Sequence, residues 1–395
     1  MANFKGLSVF VLGAAAAIGC RKPEDAARTQ PELMKARGPD SVDSKEMPKP
    51  GMKQEAVPVV EDPMKHADDD MAAVLAELKA LNGKPIESLS AAEARKQPTP
   101  TDAVQALLKK QGKSVAPEAV SKVQDRTIAA STGSLPVRIY TPAGADALPV
   151  VVYFHGGGFV IADNDVYDAT PRALANGAQA IVVSVEYRKA PEHKFPAAHD
   201  DAVAAYRWVV KNAASFGGDG KRFAVAGESA GGNLAENVAI AARDDHELQP
   251  LHVLLVYPVA SDNLSSDSYA KYRDAKPLNK AMMAWFTEQY FRTPADAHDP
   301  RISLIDAKLA GLPETTIINA EIDPLRWDGE QLAKKLELAE VPVKQKTYAG
   351  VTHEFFGMGA AVSDAQDAVK FASQRLKDSF EVAAKRVETA AANKP

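Results

Sequence analysis

The sequence predicts an α/β fold in which a mostly parallel, eight-stranded sheet is covered by helices on both faces. Two observations support this prediction. The strand candidates are short apolar runs rich in β-branched residues, and after the first two they alternate with stretches of helical periodicity. Such runs are typical of strands buried on both faces, because the helix that joins two parallel strands crosses over the sheet.

Eight segments are strand candidates and four are helix candidates. The strands are expected around Val123 and at residues 137–140, 150–154, 181–186, 222–226, 252–257, 315–320 and 343–348. The helices are expected at residues 68–79, 101–110, 231–243 and 363–376, with Thr101 and Ser363 as N-caps of the second and the last. Residues 381–395 are alanine-rich and charged, and they are expected to fray.

A serine between two glycines follows the fifth strand candidate. Residues 227–231 read G-E-S-A-G, with Ser229 at the centre. A serine on a tight turn from strand to helix adopts a strained backbone, and the flanking glycines remove the Cβ atoms that would clash there. The following helix directs its amino terminus towards negative charge that develops on a bound acyl group. The pattern therefore predicts Ser229 as a nucleophile.

Three consecutive glycines, Gly156 to Gly158, follow His155 at the end of the third strand candidate. Glycines at such a position let the backbone approach a ligand closely and turn its amide groups towards it. The alternative interpretation is a flexible glycine loop. Because the segment precedes a serine turn in the same sheet, we expect an oxyanion hole built from main-chain donors.

A serine hydroxyl needs a histidine base, and that histidine needs a carboxylate to fix its tautomer. In proteins whose nucleophilic serine lies on a strand-to-helix turn of this kind, the acid and then the histidine follow the serine along the chain. Asp323 and His353 each follow a strand candidate, at the edge where ligands bind, and they are the predicted acid and base. Glu321, expected on the strand, and Asp328, expected to face solvent on the next helix, are the alternatives for the acid.

Together these motifs resemble those of the bacterial hormone-sensitive-lipase-like carboxylesterases, also called family IV esterases, which have the α/β-hydrolase fold. The resemblance extends over about residues 68–379. Besides the serine turn, its markers are H-G-G-G-F at 155–159, Y-R-K-A-P-E-H at 187–193, F-P-A-A-H-D-D at 195–201, D-P-L-R at 323–326 and G-V-T-H at 350–353.

The resemblance implies an oxyanion hole formed by the amides of Gly157, Gly158 and Ala230. This chain departs from the family pattern at three positions, where Lys189, Glu228 and Leu304 stand in place of the more usual leucine, aspartate and proline. Glu228 is one methylene longer than aspartate, so it can change the hydrogen bonding beneath the serine turn. None of the three departures lies in the predicted triad.

The resemblance also implies a helical cap over the site, formed by about residues 68–120 and 261–300 of a catalytic domain at 68–380. Six aromatic residues lie in the second segment, and one or two of them are expected to line an acyl pocket. They are Tyr269, Tyr272, Trp285, Phe286, Tyr290 and Phe291. A pocket limited by a cap, and the preference of the resembled family, predict short-to-medium acyl esters as substrates.

The first twenty residues predict an exported protein. One basic residue, Lys5, precedes an apolar run that is too short for a membrane span of about 20 residues, and small residues then lead to Cys20. Cys20 is the only cysteine in the sequence, and its position resembles a lipoprotein lipobox, although Ala17 stands where leucine is typical. The expectation is a lipid-anchored protein of the bacterial cell envelope. Ordinary signal cleavage, which gives a secreted or periplasmic protein, and an uncleaved buried cysteine are the alternatives.

Residues 21–67 are rich in proline and mixed charge and almost lack aromatic residues. A segment of this composition cannot bury enough apolar surface to fold, so it predicts a disordered tether, or a tail without that purpose. The net charge is −5, and basic residues do not cluster with aromatic ones, which argues against nucleic acid as a partner. The oligomeric state is left open.

The sequence thus predicts a serine hydrolase for carboxylic esters, which needs neither a cofactor nor a metal. The other histidines, such as His193, His199, His252 and His298, lack metal-ligand spacing and are interpreted as surface or packing residues. Two alternatives use the same fold. One is an acyltransferase or amide hydrolase on the same triad, and the other is a non-catalytic ligand-binding protein.

Overall fold

Eight strands form one sheet in the computed structural model, which describes residues 63–144 and 147–392. The sheet order is β1-β2-β4-β3-β5-β6-β7-β8, with β2 antiparallel to β1 and β4 and all other neighbours parallel. The strands are β1 Lys122–Ala130, β2 Gly133–Thr141, β3 Leu148–Phe154, β4 Ile181–Val185, β5 Gly218–Glu228, β6 Val253–Val256, β7 Thr315–Ile322 and β8 Val343–Thr352. All eight predicted strands are confirmed.

Ten α-helices accompany the sheet in the described part of the chain. They are α1 Asp69–Ala80, α2 Ala91–Ala94, α3 Pro100–Lys110, α4 Ala169–Ala178, α5 Ala197–Asn212, α6 Ala230–Asp244, α7 Asp267–Lys271, α8 Lys280–Tyr290, α9 Arg326–Leu338 and α10 Ser363–Ala392. Short 3-10 helices lie at Pro63–His66, Ile86–Ser88, Ala213–Phe216, Pro294–His298, Leu304–Asp306 and Phe355–Met358.

The central strands are apolar throughout because helices bury both of their faces. Every residue of β4 is buried, as are the last six residues of β3. One apolar layer joins the sheet to α5, α6 and α9, and a second layer on the opposite face joins it to α1, α3, α4 and α10. The predicted coverage of both faces is therefore confirmed, and it fixes the carboxyl ends of β3, β5, β7 and β8 along one edge of the sheet.

Two of the predicted helix ends are wrong. Thr99, not Thr101, is the N-cap of α3, because its hydroxyl accepts the amide of Asp102 while the Asp102 carboxylate accepts the amide of Thr99. The hydroxyl of Thr101 instead donates to the carbonyl of Val166 at 2.9 Å. Ser363 is the first residue of α10, not its N-cap, and this helix continues to Ala392, so residues 381–392 extend it.

The amino-terminal predictions concern mainly residues outside the described ranges. The signal peptide, Cys20 and all but the last few residues of the predicted tether lie there. Within the described part, residues 63–66 form a 3-10 helix, so the folded domain begins a few residues earlier than residue 68. No helix in residues 63–144 and 147–392 combines the length and the apolar character needed to cross a bilayer.

Candidate active site

Ser229 is the single residue between the end of β5 and the start of α6. Its φ of 56° and ψ of −118° are strained for a residue with a side chain, as the predicted turn requires. The turn is held by the amide of Ser229, which donates to the carbonyl of Val256 at 2.9 Å. A Cβ atom on Gly231 would lie 2.0 Å from the carbonyl oxygen of Phe154. Only glycine therefore permits α6 to start this close to β3.

Asp323 and His353 are joined by a hydrogen bond at the same edge of the sheet. Asp323 directly follows β7, and His353 directly follows β8. The distance from Asp323 Oδ2 to His353 Nδ1 is 2.7 Å, and Asp323 Oδ1 accepts the amide of Leu325 at 2.8 Å. Both side chains are buried, and His353 lines the same cavity as Ser229. The structure thus pairs Asp323 with His353 and places His353 in one cavity with Ser229.

The two alternative acids lie elsewhere. Glu321 is on β7, as expected, and accepts the amide of Gly350 at 3.1 Å. Asp328 does not face solvent as we expected. It is fully buried on α9, because this face of the helix packs against the turn after β6, where its carboxyl accepts the amides of Ala260 and Ser261 at 3.1 and 3.0 Å. Burial raises the pKa of Asp328 well above its usual range.

The environment of His353 favours its protonated form. Burial lowers the pKa of the imidazole, but the attraction of the Asp323 carboxylate and the hydrogen bond to it raise the pKa by more. The negative charges of Glu354 and Glu228 act in the same direction. The net result is a pKa for His353 above the ordinary value of about 6.5.

The glycine segment after β3 forms a tight loop opposite Ser229. Gly157 and Gly158 have φ values of 100° and 59°, and both line the cavity. The carbonyl of Gly157 accepts the amides of Val160 and Ile161, which turns the loop back on itself. Ala230, the third predicted contributor, is the first residue of α6, where helix amides are free of intrahelical partners. Gly157 and Gly158 therefore share the cavity with Ser229, and Ala230 directly follows the serine in the chain.

Two side chains of the 187–193 motif, to which the sequence analysis gave no structural role, hold this loop. Tyr187 donates its hydroxyl to the carbonyl of His155 at 2.8 Å, and its ring stacks on the His155 imidazole with 4.4 Å between centroids. Lys189, one of the departures from the family pattern, donates to the carbonyl of Ala162 at 2.7 Å and pairs with Glu186 at 2.5 Å. The local signal that could have indicated the role of Lys189 is Glu186, a carboxylate three residues earlier at the end of the fourth strand candidate.

The site opens into a cavity of about 840 Å³. Both predicted cap segments contribute to its walls, the first through Leu75 and Leu78 and the second through Leu278, Met282 and Phe286. Among the six cap aromatics, Phe286 lines the cavity. Its ring lies so close to Gly158 that a Cβ atom there would be 2.3 Å from it. Tyr269, Tyr272 and Tyr290 are instead fully buried in packing.

A polar cluster that sequence analysis missed lies behind the triad histidine. It contains Glu228, which accepts the hydroxyls of Tyr153 and Tyr257 at 2.6 and 2.5 Å. It also contains Glu354, which follows His353 with a φ of 71° and accepts the Tyr167 hydroxyl at 2.7 Å. The Glu228 carboxylate therefore accepts two tyrosine hydroxyls beneath the serine turn.

The remaining histidines have ordinary structural surroundings. His199 is buried between Tyr290 and Asn233, and His252 is buried with partners in Thr316 and Ser379. Within the described residues, no group of three or more histidine, cysteine, aspartate and glutamate side chains is placed to hold a metal ion.

The comparison with known proteins agrees with this arrangement. A family model described as an alpha/beta hydrolase fold matches residues 151–357. The carboxylesterase NlhH of Mycobacterium tuberculosis is 41% identical over 253 residues, which cover 62% of this chain and 79% of that protein. The ethyl acetate hydrolase of Pseudomonas putida is 35% identical over 298 residues, covering 74% of this chain and 92% of the relative.

Solved structures give the same result. The hyperthermophilic esterase of Pyrobaculum calidifontis is 37% identical and superposes with a TM-score of 0.73, covering 79% of this chain and 98% of that chain. The carboxylesterase EstE1, cloned from a metagenomic library, is 35% identical with a TM-score of 0.69, covering 74% of this chain and 98% of that chain. The chain therefore belongs to the hormone-sensitive-lipase-like family of the α/β-hydrolase fold.

Proposed function

We propose that this protein is a carboxylic ester hydrolase that works through Ser229, His353 and Asp323. The observation that carries the proposal is the hydrogen bond of 2.7 Å between the buried Asp323 and His353, together with the position of His353 in the same cavity as a serine on a strained turn. The names of the relatives, which include carboxylesterase, esterase and ethyl acetate hydrolase, support hydrolysis of esters.

In the proposed mechanism the protonated Nδ1 of His353 donates a hydrogen bond to the Asp323 carboxylate. Nε2 is then unprotonated and can act as the base. Nε2 takes the hydroxyl proton of Ser229 while the oxygen attacks the ester carbonyl. The carbon–oxygen bond to the alcohol then breaks, and the alcohol leaves with the proton from His353. Water then attacks the acyl-enzyme while His353 takes one of its protons. The bond between the acyl carbon and the Ser229 oxygen breaks, His353 returns the proton to that oxygen, and the carboxylic acid is released.

The carbonyl oxygen becomes negatively charged in both tetrahedral intermediates. The amides of Gly157, Gly158 and Ala230 are proposed to stabilise it, and the amino terminus of α6 adds to this effect. Positive φ values at both glycines support this role, because they orient a loop backbone in a way that other residues adopt only under strain. The chemistry requires neither a cofactor nor a metal.

A panel of p-nitrophenyl esters from acetate to palmitate tests the substrate range. We expect acetate to hexanoate esters to be cleaved with higher kcat/KM than palmitate, because Phe286 and the cap segments line the cavity that holds Ser229 and limit the room for a long acyl chain. An optimum at palmitate would contradict the short-to-medium range.

Matched amides and added alcohols in the same assay separate ester hydrolysis from amide hydrolysis and acyl transfer. A fluorophosphonate probe that fails to label the protein would instead favour a non-catalytic binding protein.

The pH dependence of the reaction follows from the raised pKa of His353. The imidazole must be neutral to accept the serine proton, and it becomes protonated as the pH falls through its pKa. Because this pKa lies above about 6.5, we expect kcat/KM to fall about tenfold per pH unit on an acid limb centred above pH 6.5. A constant kcat/KM between pH 5 and pH 8 would contradict a histidine base.

Anchoring through Cys20 is our proposal for the location of the protein. A small-residue run before this cysteine supports lipidation, and several acyl chains hold a protein on a membrane more firmly than one. The wild-type protein should then resist salt washing of membranes and be released by detergent, whereas Cys20→Ser should be soluble or unprocessed and remain active. Identical fractionation of the two proteins, without acyl label, would favour a secreted or periplasmic soluble protein.

A further inference from the structure

Glu228 directly precedes Ser229 in the sequence, but its side chain is buried against the sheet face that α10 covers. It is 1% exposed and belongs spatially to the layer that contains Tyr153, Tyr257 and α10. Its two carboxyl oxygens have separate partners, the hydroxyl of Tyr153 on β3 and the hydroxyl of Tyr257 just after β6. One carboxyl group therefore ties together two strands on opposite sides of β5.

The two tyrosines differ in what their rings touch. The ring of Tyr257 packs against the imidazole of His353, with 4.4 Å between centroids and 46° between planes. Tyr257 is also constrained at its backbone, where φ is 36° and the amide donates to the carbonyl of Ile318 at 2.6 Å. Among the ring pairs of the described residues, Tyr153 makes no such contact with His353.

We propose that Glu228 is a positioning residue for the general base, which it orients by holding the hydroxyl of Tyr257. The proposal rests on the assignment of His353 as the base. Asp323 fixes the Nδ1 side of the imidazole, and a ring held against its face limits the remaining rotation about the side chain. Small displacements of a catalytic group lower reaction rates strongly. A Tyr257 ring that keeps the imidazole in place therefore contributes to turnover without touching the substrate.

The charge of Glu228 gives this role a measurable signature. Burial and the neighbouring Glu354 carboxylate raise the pKa of Glu228 to about 7, although its hydrogen bonds from Tyr153 and Tyr257 oppose the shift. Thr170 on α4 and Tyr167, bonded to Glu354, complete the polar groups that surround it. Ionised Glu228 raises the pKa of His353, so the two groups titrate as a coupled pair.

A matched pair of variants separates positioning from general packing. Tyr257→Phe and Tyr153→Phe each remove one hydroxyl that donates to Glu228, but only the first releases a ring that contacts His353. With p-nitrophenyl acetate, we expect kcat to fall about tenfold or more in Tyr257→Phe and by less than about twofold in Tyr153→Phe, with similar KM in both. Thermal unfolding of both variants reports the cost of the lost hydrogen bonds.

Replacement of Glu228 itself supplies the second readout. Glu228→Gln removes the charge, so the acid limb of kcat/KM should move to lower pH, whereas Glu228→Asp should keep the limb near its wild-type position. If Tyr257→Phe does not fold, kcat of Glu228→Gln at a pH above the acid limb decides the proposal, because His353 is then neutral in both proteins and the amide has one acceptor oxygen for two tyrosine hydroxyls. A loss of about tenfold or more supports positioning, and wild-type kcat overturns it.

Two controls keep the outcomes distinct. Hydrolysis by the wild type, together with its loss in Ser229→Ala, establishes the proposed function before any of these variants is compared. With that established, equal kcat losses in the two tyrosine variants, or wild-type kcat in Glu228→Gln above the acid limb, would overturn the positioning role and leave the triad assignment intact.

Discussion

Replacing Ser229 with alanine is expected to lower kcat by about four to six orders of magnitude, because the members of a triad act as one unit. The substitution removes one hydroxyl and leaves the Cβ atom, so the turn between β5 and α6 should keep its shape. The φ of 56° strains alanine as much as serine. Thermal unfolding should therefore change little, and a loss of kcat in a folded protein would assign the nucleophile directly.

A second buried serine provides the control for this experiment. Ser373 lies on α10 and is 2% exposed, and it is not among the residues that line the cavity. Ser373→Ala should retain wild-type kcat and fluorophosphonate labelling, whereas Ser229→Ala should lose both. Turnover at the wild-type level in Ser229→Ala would remove the basis for the proposed mechanism.

Much of this site was predictable because its main parts are local in sequence. The serine turn, the glycine loop and the two loops that carry Asp323 and His353 each follow a short apolar strand, and a parallel sheet brings such loops to one edge. Strand periodicity and glycine placement, together with the chain order of acid and histidine, therefore select the candidate triad residues. The match of the central strands β3 to β7 has the same cause, since buried parallel strands leave a clear apolar signal.

The features that sequence analysis missed depend on long-range packing. Asp328 was expected in solvent because it lies on a polar helix, but its burial depends on the turn after β6, nearly seventy positions away. The partners of Glu228 are separated from it by 75 and 29 positions. Local sequence patterns carry no information about such pairs. Each residue fits its own strand or turn whichever distant side chain it contacts in the folded protein.

The same contrast applies to the cap. Aromatic residues on its helices were visible in the sequence, but not which of them would reach the cavity. Phe286 does so because the missing Cβ atom of Gly158 leaves room for its ring. Two glycine-dependent features, the oxyanion loop and the approach of the cap, therefore meet at a single residue, and a larger side chain at Gly158 would disturb both.

Asp323→Asn is expected to lower kcat by about three to four orders of magnitude. The amide keeps the size of the carboxylate but removes its charge, so it no longer favours the tautomer of His353 with a proton on Nδ1 or stabilises the protonated imidazole. The charge and hydrogen bond of Asp323 are the main influences that raise the pKa of His353, so burial should then lower it. Measured kcat and the pH profile together report both effects.

Asp328→Asn is the matched control, because Asp328 is equally buried and only five positions away on the chain. Its carboxyl accepts the amides of Ala260 and Ser261, and an asparagine oxygen can accept the same bonds. This carboxyl makes no hydrogen bond to His353, so kcat should stay within about threefold of the wild type. A loss in Asp328→Asn as large as that in Asp323→Asn would mean that the acid of the triad has been assigned to the wrong residue. Loss in Asp323→Asn alone would assign the acid to the loop after β7 and leave Asp328 as a buried support for the turn after β6.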